Sequence, residues 1–273
     1  MIRRGIGVQS FVSAGIPPDA DAQAFITAAG ITNATQQSAI NTLVTDLKGY
    51  GIWTKMKAIY PMVGGTSTTC KYNLKDPRDL DAAFRLVFSG GWTFSNNGAL
   101  PNGVNSYADT FLIPSTSISQ NSAHLSFYSR TNALGNGMNI GSIKTFPLPL
   151  QGLHMAISFG LNSNQMRTRC NSANASTSYT PTDTRGLFSI SRTTSAQYKG
   201  YKNNSTVFTF AEVSNSPSNL NIVIGAINTT SGVSDYSTNE CAFASIGDGL
   251  TDTEAVNLYT AVQKYQTSLS RNV

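Results

Sequence analysis

The closing run of the chain, residues 241–273, reads CAFASIGDGLTDTEAVNLYTAVQKYQTSLSRNV. Cys241 to Ile246 has the composition of a buried strand, Gly247-Asp248-Gly249 is a tight turn, and a helix over 251–270 ends the chain. Thr251 and Glu254 have the S/T-x-x-E spacing of a capping box, in which hydroxyl and carboxylate each take one unpaired backbone N–H. Ala255, Leu258, Val262, Tyr265 and Leu269 then recur every three or four residues and form one apolar stripe. A helix with one such stripe must lie on something. Most of the preceding chain alternates with period two, so the expected support is a β-sheet.

The totals agree with a mainly β protein. The 273 residues carry only 12% charged side chains against a usual quarter, while 40% are hydrophobic, with 13 Phe and 11 Tyr, enough to build a core. The net charge of +5 reflects scarce acids as much as plentiful bases. No cationic run is longer than Arg3-Arg4, so the residues indicate no nucleic-acid partner. No apolar run approaches the roughly 18 residues that span a bilayer, and Gly5–Ser10 is too polar and short for a signal-peptide core, so no membrane partner is expected. Cys70, Cys170 and Cys241 are odd in number and far apart, which suggests free thiols in a reducing compartment and leaves room for one disulfide.

In chain order, residues 1–18 form an arm that ends in Pro17-Pro18. Residues 19–51 read as a helical hairpin: Asp19 or Asp21 caps a helix bearing Ala22, Phe25 and Ile26, and Asn33 caps a second with Ile40, Leu43, Val44 and Leu47. Such a hairpin cannot bury its face alone and must dock on the sandwich or another chain. Residues 52–273 are then expected to be β. Strands are predicted over 52–60, 84–88, 109–113, 123–130, 138–143, 153–159, 165–170, 186–193, 196–202, 206–213, 219–227 and 240–246. Asn203-Asn204 makes a hairpin turn. Gly64–Ser67, Ser89–Ser106 and Asn171–Thr184 read as loops, and Lys71–Ala83 as a charged turn with a short helix. This count of short strands means a sandwich, with jelly-roll topology the common arrangement.

The strand ending SIGDGL, followed by Thr251-Asp252-Thr253-Glu254 and a helix containing Leu258-Tyr259, resembles the closing segment of concanavalin A-like (laminin-G-like) jelly-roll domains. With GITNATQQSAINTLVTDLKGYGIWTKMKAIYP at 30–61 and AHLSFYSRT at 123–131, about nine-tenths of the chain resembles uncharacterised virion proteins of tailed bacteriophages. The resemblance implies a jelly-roll sandwich located in the virion. It also implies a non-enzymatic role as a decoration, fibre or tail-tip protein, homo-oligomeric and held by contacts with other virion proteins.

Catalytic signatures are sparse. Laminarinase-type members of this fold carry E-x-D-x-x-E, placing the two carboxyls that a retaining mechanism needs about 5 Å apart. Here Glu occurs only at 212, 240 and 254. The only histidines, His124 and His154, sit on the polar side of alternating strands, with no Cys or acid spacing for zinc. There is no G-x-S-x-G elbow and no Walker loop, although a Ser-His-Asp set assembled from distant residues stays open. Calcium would need clustered oxygen ligands, which the thin scatter of acids does not suggest. No catalytic residue, metal or cofactor is therefore assigned.

Two sets of residues remain as candidates. Ile2, Arg3, Arg4, Ile6, Val8 and Phe11 of the arm, with the hairpin, are the candidate assembly contacts, able to reach a neighbour by strand addition. Trp92, Tyr107, Tyr179 and Tyr236, with Tyr198 and Tyr201, are candidate platforms for a host surface glycan, against the plainer role of rings covering the sandwich edge. A structural virion component is the leading expectation, a receptor- or glycan-binding lectin-like module the alternative, and a glycan-cleaving enzyme the third.

Overall fold

The computed structural model describes residues 18–134, 137–160 and 164–273. The arm residues Ile2 to Phe11 lie outside them. Among the described residues the α-helices are α1 (Ala20–Ala28), α2 (Ala34–Gly49), α3 (Ser67–Cys70), α4 (Pro114–Ser117) and α5 (Asp252–Ser268). The strands are β1 (Met56–Tyr60), β2 (Val87–Ser89), β3 (Trp92–Ser95), β4 (Gly98–Pro101), β5 (Tyr107–Asp109), β6 (Ala123–Ser129), β7 (Ile140–Lys144), β8 (Gln151–Phe159) and β9 (Gln165–Ser172). They continue as β10 (Ser176–Tyr179), β11 (Gly186–Arg192), β12 (Gln197–Lys202), β13 (Ser205–Ala211), β14 (Val223–Ile224), β15 (Ile227–Thr229), β16 (Gly232–Ser234) and β17 (Cys241–Gly247).

The strands form two sheets. The first runs β13-β12-β11-β6-β17-β4-β3, with β1 also on β17; the second runs β10-β9-β8-β7-β14-β5-β2, with β15 and β16 at its margin. Pairing is antiparallel except where β15 runs parallel to β7. The fold is the expected concanavalin A-like jelly-roll sandwich with helical ends. Alternation places Leu125, Phe127, Phe188, Ile190, Leu153, Met155 and Ile157 between the sheets.

The helices make a third layer. Phe25, Ile40, Leu43 and Leu47 of the hairpin and Leu258, Val262 and Tyr265 of α5 share one cluster with Tyr128, Leu187, Tyr201 and Phe243, on the outer side of the first sheet. The hairpin therefore docks on the sandwich and packs on α5 as well as on strands. The capping box is present in both halves, Thr251 with the Glu254 amide and Glu254 with the Thr251 amide. Asn33 accepts from Gln36 as its spacing suggested, and of the two cap candidates of the first helix it is Asp19 that caps, accepting from the Asp21 amide.

Several local expectations change. The strand predicted from Ile52 begins at Met56, because Trp53–Lys55 is a 3-10 turn that drives the Trp53 ring inward under Lys48 and Lys75. The loop expected over Gly64–Ser67 gives way at Ser67 to a helical turn, Ser67–Cys70, capped by Thr66. The expected Ser89–Ser106 loop holds the β3–β4 hairpin, whose Trp92 and Phe94 cover the inter-sheet core. Gly98, at φ +144, lets that hairpin approach the Cys241 carbonyl, where a Cβ would collide. Asn171–Thr184, also expected as loop, contains β10 on the edge of β9. The strand predicted over 84–88 shifts to Val87–Ser89, since Phe84 is left-handed at φ 58. The predicted 219–227 strand breaks into β14 and β15 at Gly225, φ +85. All three cysteines are free and buried, and burial pushes the Cys70 thiol to about 11 and Cys170 to about 12.

Candidate binding site

The Gly-Asp-Gly turn after β17 is pinned from four sides. The Asp248 amide donates to the Lys55 carbonyl at 2.8 Å, the Gly249 amide to Ser122 Oγ at 2.8 Å and the Leu250 amide to Ser191 Oγ at 2.7 Å. Lys57 pairs with the Asp248 carboxylate and Lys55 with Glu254. Both glycines are required by close approach: a Cβ at Gly247 would strike the Lys55 carbonyl, and one at Gly249 the Arg192 carbonyl.

Below the turn lies a buried polar chain. His124 Nδ1 is 2.7 Å from the Asp248 carbonyl, so it carries the proton and donates. Nε2 then accepts from Ser245 Oγ at 3.1 Å, and Ser126 donates to Ser245 at 2.6 Å. Serine and histidine thus meet, but His124 and Ser245 are fully buried, and the third partner is a backbone carbonyl rather than a carboxylate. His124 lies on the polar side of β6 as alternation predicts, but that side faces the helical layer and not solvent. His154, on the second sheet, is also buried. The two histidines lie on different sheets, and among the described residues no three of His, Cys, Asp and Glu converge as a metal set.

Burial holds His124 down at about 4, below its ordinary 6.5. The unfolded chain therefore takes up this proton first as pH falls, and stability is lost from about pH 6.5 down to pH 4. The expected loss is about 3 kcal/mol by pH 4. Burial also lowers His154, which adds in the same direction. Urea midpoints at pH 7 and pH 4.5 check this; equal midpoints would contradict a neutral buried imidazole.

The segment leading from the pinned turn into α5 forms one wall of a cleft of about 180 Å³, lined by Leu250, Thr251 and Asp252, by Ser191 and Thr193 near the end of β11, and by Gln197 to Lys199 and Tyr201 of β12. Lys199 Nζ lies 2.7 Å from the Asp252 carboxylate, and the Tyr201 hydroxyl donates to the same carboxylate at 2.8 Å. Lys199 and Tyr201 hold the Asp252 carboxyl below the usual range, while burial and Asp252 push the Tyr201 phenol up. Thr193, Gln197 and the Asp252 side chain are exposed at the mouth. Ammonium, amide, carboxylate and hydroxyls alternate as donors and acceptors around it. Asp252 is the sole carboxylate of the lining, so the cleft does not assemble the carboxyl pair of a glycosidase.

The aromatic candidates are not brought together. Trp92 packs edge-on to Phe88 and stacks on Phe94 at 6.3 Å, with Nε1 donating to the carbonyls of Ser89 and Tyr107. Tyr107 lies on β5 near one edge of the second sheet and Tyr179 on β10 at the other. The Tyr236 hydroxyl donates to Val233. Tyr198 is buried against Phe208 and Phe210. Of the aromatic set only Tyr198 and Tyr201 line the cleft, and both rings are buried. Sequence reasoning missed Lys199 and Asp252, 53 positions apart; the available signal was the Gly-Asp-Gly turn running into a capped helix.

No family model matches the chain, and no curated protein matches it. Among solved structures, domain 4 of AbnA, a GH43 extracellular arabinanase from Geobacillus stearothermophilus in complex with arabinotriose, is similar at a TM-score of 0.50 and 14% identity, over 75% of this chain and 98% of that one. The binding domain of botulinum neurotoxin serotype D gives 0.47 at 9% identity, over 77% and 52%. The Ruminococcus gnavus IT-sialidase CBM40 bound to α2,3-sialyllactose gives 0.36 at 15%, over 51% and 82%. At such identity the likeness to AbnA domain 4 is one of fold: the chain has the β-sandwich of that domain.

Proposed function

We propose that the chain is a non-catalytic, lectin-like glycan-binding module of a bacteriophage virion. The observation that carries the binding role is the cleft at the β11–β12–α5 junction. Gln197 and Lys199 are held on β12 and Asp252 on a capped helix, so these groups keep their geometry before a ligand arrives. The volume is below the roughly 300–1,000 Å³ of drug-sized pockets, which suits one sugar ring with the remaining saccharide in solvent. Arabinotriose in AbnA domain 4 supports the same reading by analogy of fold. The virion setting rests on the sequence resemblance described above.

A second reading, incorporation in a particle through protein contacts, is favoured by the β7–β8 connection. Phe146 and Leu148 there are 72% and 74% exposed, an apolar protrusion with no covering segment among the described residues.

The test is a glycan array probed with the full chain, followed by titration of any hit. Saturable binding is expected, with no release of reducing ends on incubation. Lys199→Gln should weaken binding at least tenfold without moving the thermal midpoint, because Lys199 is a surface ion-pair residue. Absence of saturable binding across the array would remove the proposal, and saccharide cleavage would remove its non-catalytic part.

A further inference from the structure

The helical layer covers the first sheet; among the described residues the outer side of the second carries a small cluster of Met138, Ile143, Ala156 and Ile227, with Leu150 and Phe159 packed on it. On that side β8 and β9 bring together three cationic or donor side chains that the cleft does not use. The register sets His154 opposite Arg169 and Ala156 opposite Arg167. Leu153, Met155, Met166 and Cys170 point between the sheets, so strand alternation turns His154, Arg167 and Arg169 outward.

Arg169 is 7% exposed and His154 1%. The Arg169 stem crosses Gly152, where a Cβ would sit 2.6 Å from its Cδ, so only glycine admits the side chain there. Nε donates to the Ala173 carbonyl at 3.1 Å, and Nη1 lies 3.3 Å from His154 Nε2. Nη2 makes no hydrogen bond among the described residues. Since Arg169 only donates, His154 Nε2 accepts and Nδ1 carries the proton. That Nδ1–H is buried without a partner among the described residues. Arg167 is half-buried, with its guanidinium 4.9 Å from the Phe159 ring centre.

Neither arginine has an ion pair among the described residues. Glu212, the carboxylate that acts on Arg169 through space, is occupied by the Asn174 amide and side chain. Two guanidiniums two residues apart on one strand repel each other, and burial raises the cost. A planar oxyanion relieves both, because the guanidinium fork matches carboxylate or sulfate oxygens.

We infer that Arg167, Arg169 and His154 form a second binding site, separate from the cleft, for the carboxylate or sulfate group of an acidic saccharide. The anion-binding part stands on these residues; that the anion is borne by a sugar rests on the proposed function.

Calorimetric titration of the full chain tests the site with a uronic-acid oligosaccharide, a sulfated oligosaccharide, the matching neutral oligosaccharide and inorganic sulfate. The acidic saccharides are expected to bind at least tenfold tighter than the neutral one, with an advantage that shrinks as salt rises. Arg167→Gln, at the solvent boundary, should abolish that advantage while retaining the fold, and Arg169→Lys should reduce it despite keeping the charge. Equal binding of acidic and neutral saccharides, or an advantage unchanged in Arg167→Gln, would overturn the site and leave the cleft reading standing. Inorganic sulfate bound as tightly as the sulfated sugar would overturn the sugar assignment. Failure of every saccharide would remove the glycan reading itself.

Discussion

Arg271→Ala is expected to lower stability by at least about 3 kcal/mol, a fall of roughly 6–12 °C in the thermal midpoint. Arg271 follows the last turn of α5, and a cationic side chain just past a helix end is ordinarily solvated. Instead it is 1% exposed and nails the end of α5 to the sandwich. Nε donates to the Gln266 side chain at 2.6 Å, Nη1 to the Met62 carbonyl at 2.7 Å, and Nη2 to the carbonyls of Pro61 and Ala242 at 2.7 and 2.8 Å. The guanidinium also stacks over Tyr265, 5.2 Å from its ring centre. Truncation takes the donor from the buried Met62 carbonyl and from the Gln266 side-chain oxygen, and leaves the Pro61 and Ala242 carbonyls to Tyr265 and Gln266 alone, and that desolvation penalty outweighs any gain from removing a buried charge. Arg271→Lys should not rescue, since one ammonium cannot reproduce the planar fork. Arg78→Ala, which removes an exposed pair with Asp76, should leave the midpoint where it is. Thermal unfolding of the three variants checks the ordering, and a wild-type midpoint in Arg271→Ala would refute the pinning role.

Leu258→Ala comes next in expected size, about 3 kcal/mol. Leu258 is fully buried in the cluster that joins α2, α5 and the outer side of the first sheet, so its loss opens a cavity walled by three elements. Close-packed interiors relax only partly around a deleted side chain, so the cavity persists and adds to the lost transfer energy. Val256, two residues away and 37% exposed, provides the control: Val256→Ala should move the urea midpoint little. Equal effects of the two substitutions would mean that the helices rest on the sheet without a packed interface.

What the sequence made legible follows from interaction range. The α5 cap and stripe, the two capped hairpin helices and the turn at Asn203, which is left-handed at φ 54, depend on neighbours within four residues. Strand alternation along β6, β8 and β11 was readable because one side of each faces the same core. The β3–β4 hairpin was not, since its Gly and Asn residues suggest loop and its Trp92-Thr93-Phe94 alternation is only three residues long. Alternation also cannot tell a polar side facing water from one beneath a helix, which is why the burial of His124 was hidden. Pairings such as Lys199 with Asp252, or the Arg169 stem over Gly152, arise only when distant strands become neighbours.

The proposed role has this sandwich hold a saccharide in the cleft beside α5, and hydrogen-exchange mass spectrometry with and without a saturating array hit reads that contact residue by residue. Slowed exchange is expected in 191–201 and 248–254, with the β3–β4 hairpin at 92–101 unchanged. Slowing confined to the β3–β4 hairpin, or no slowing anywhere under saturation, would mean that the cleft does not hold the saccharide.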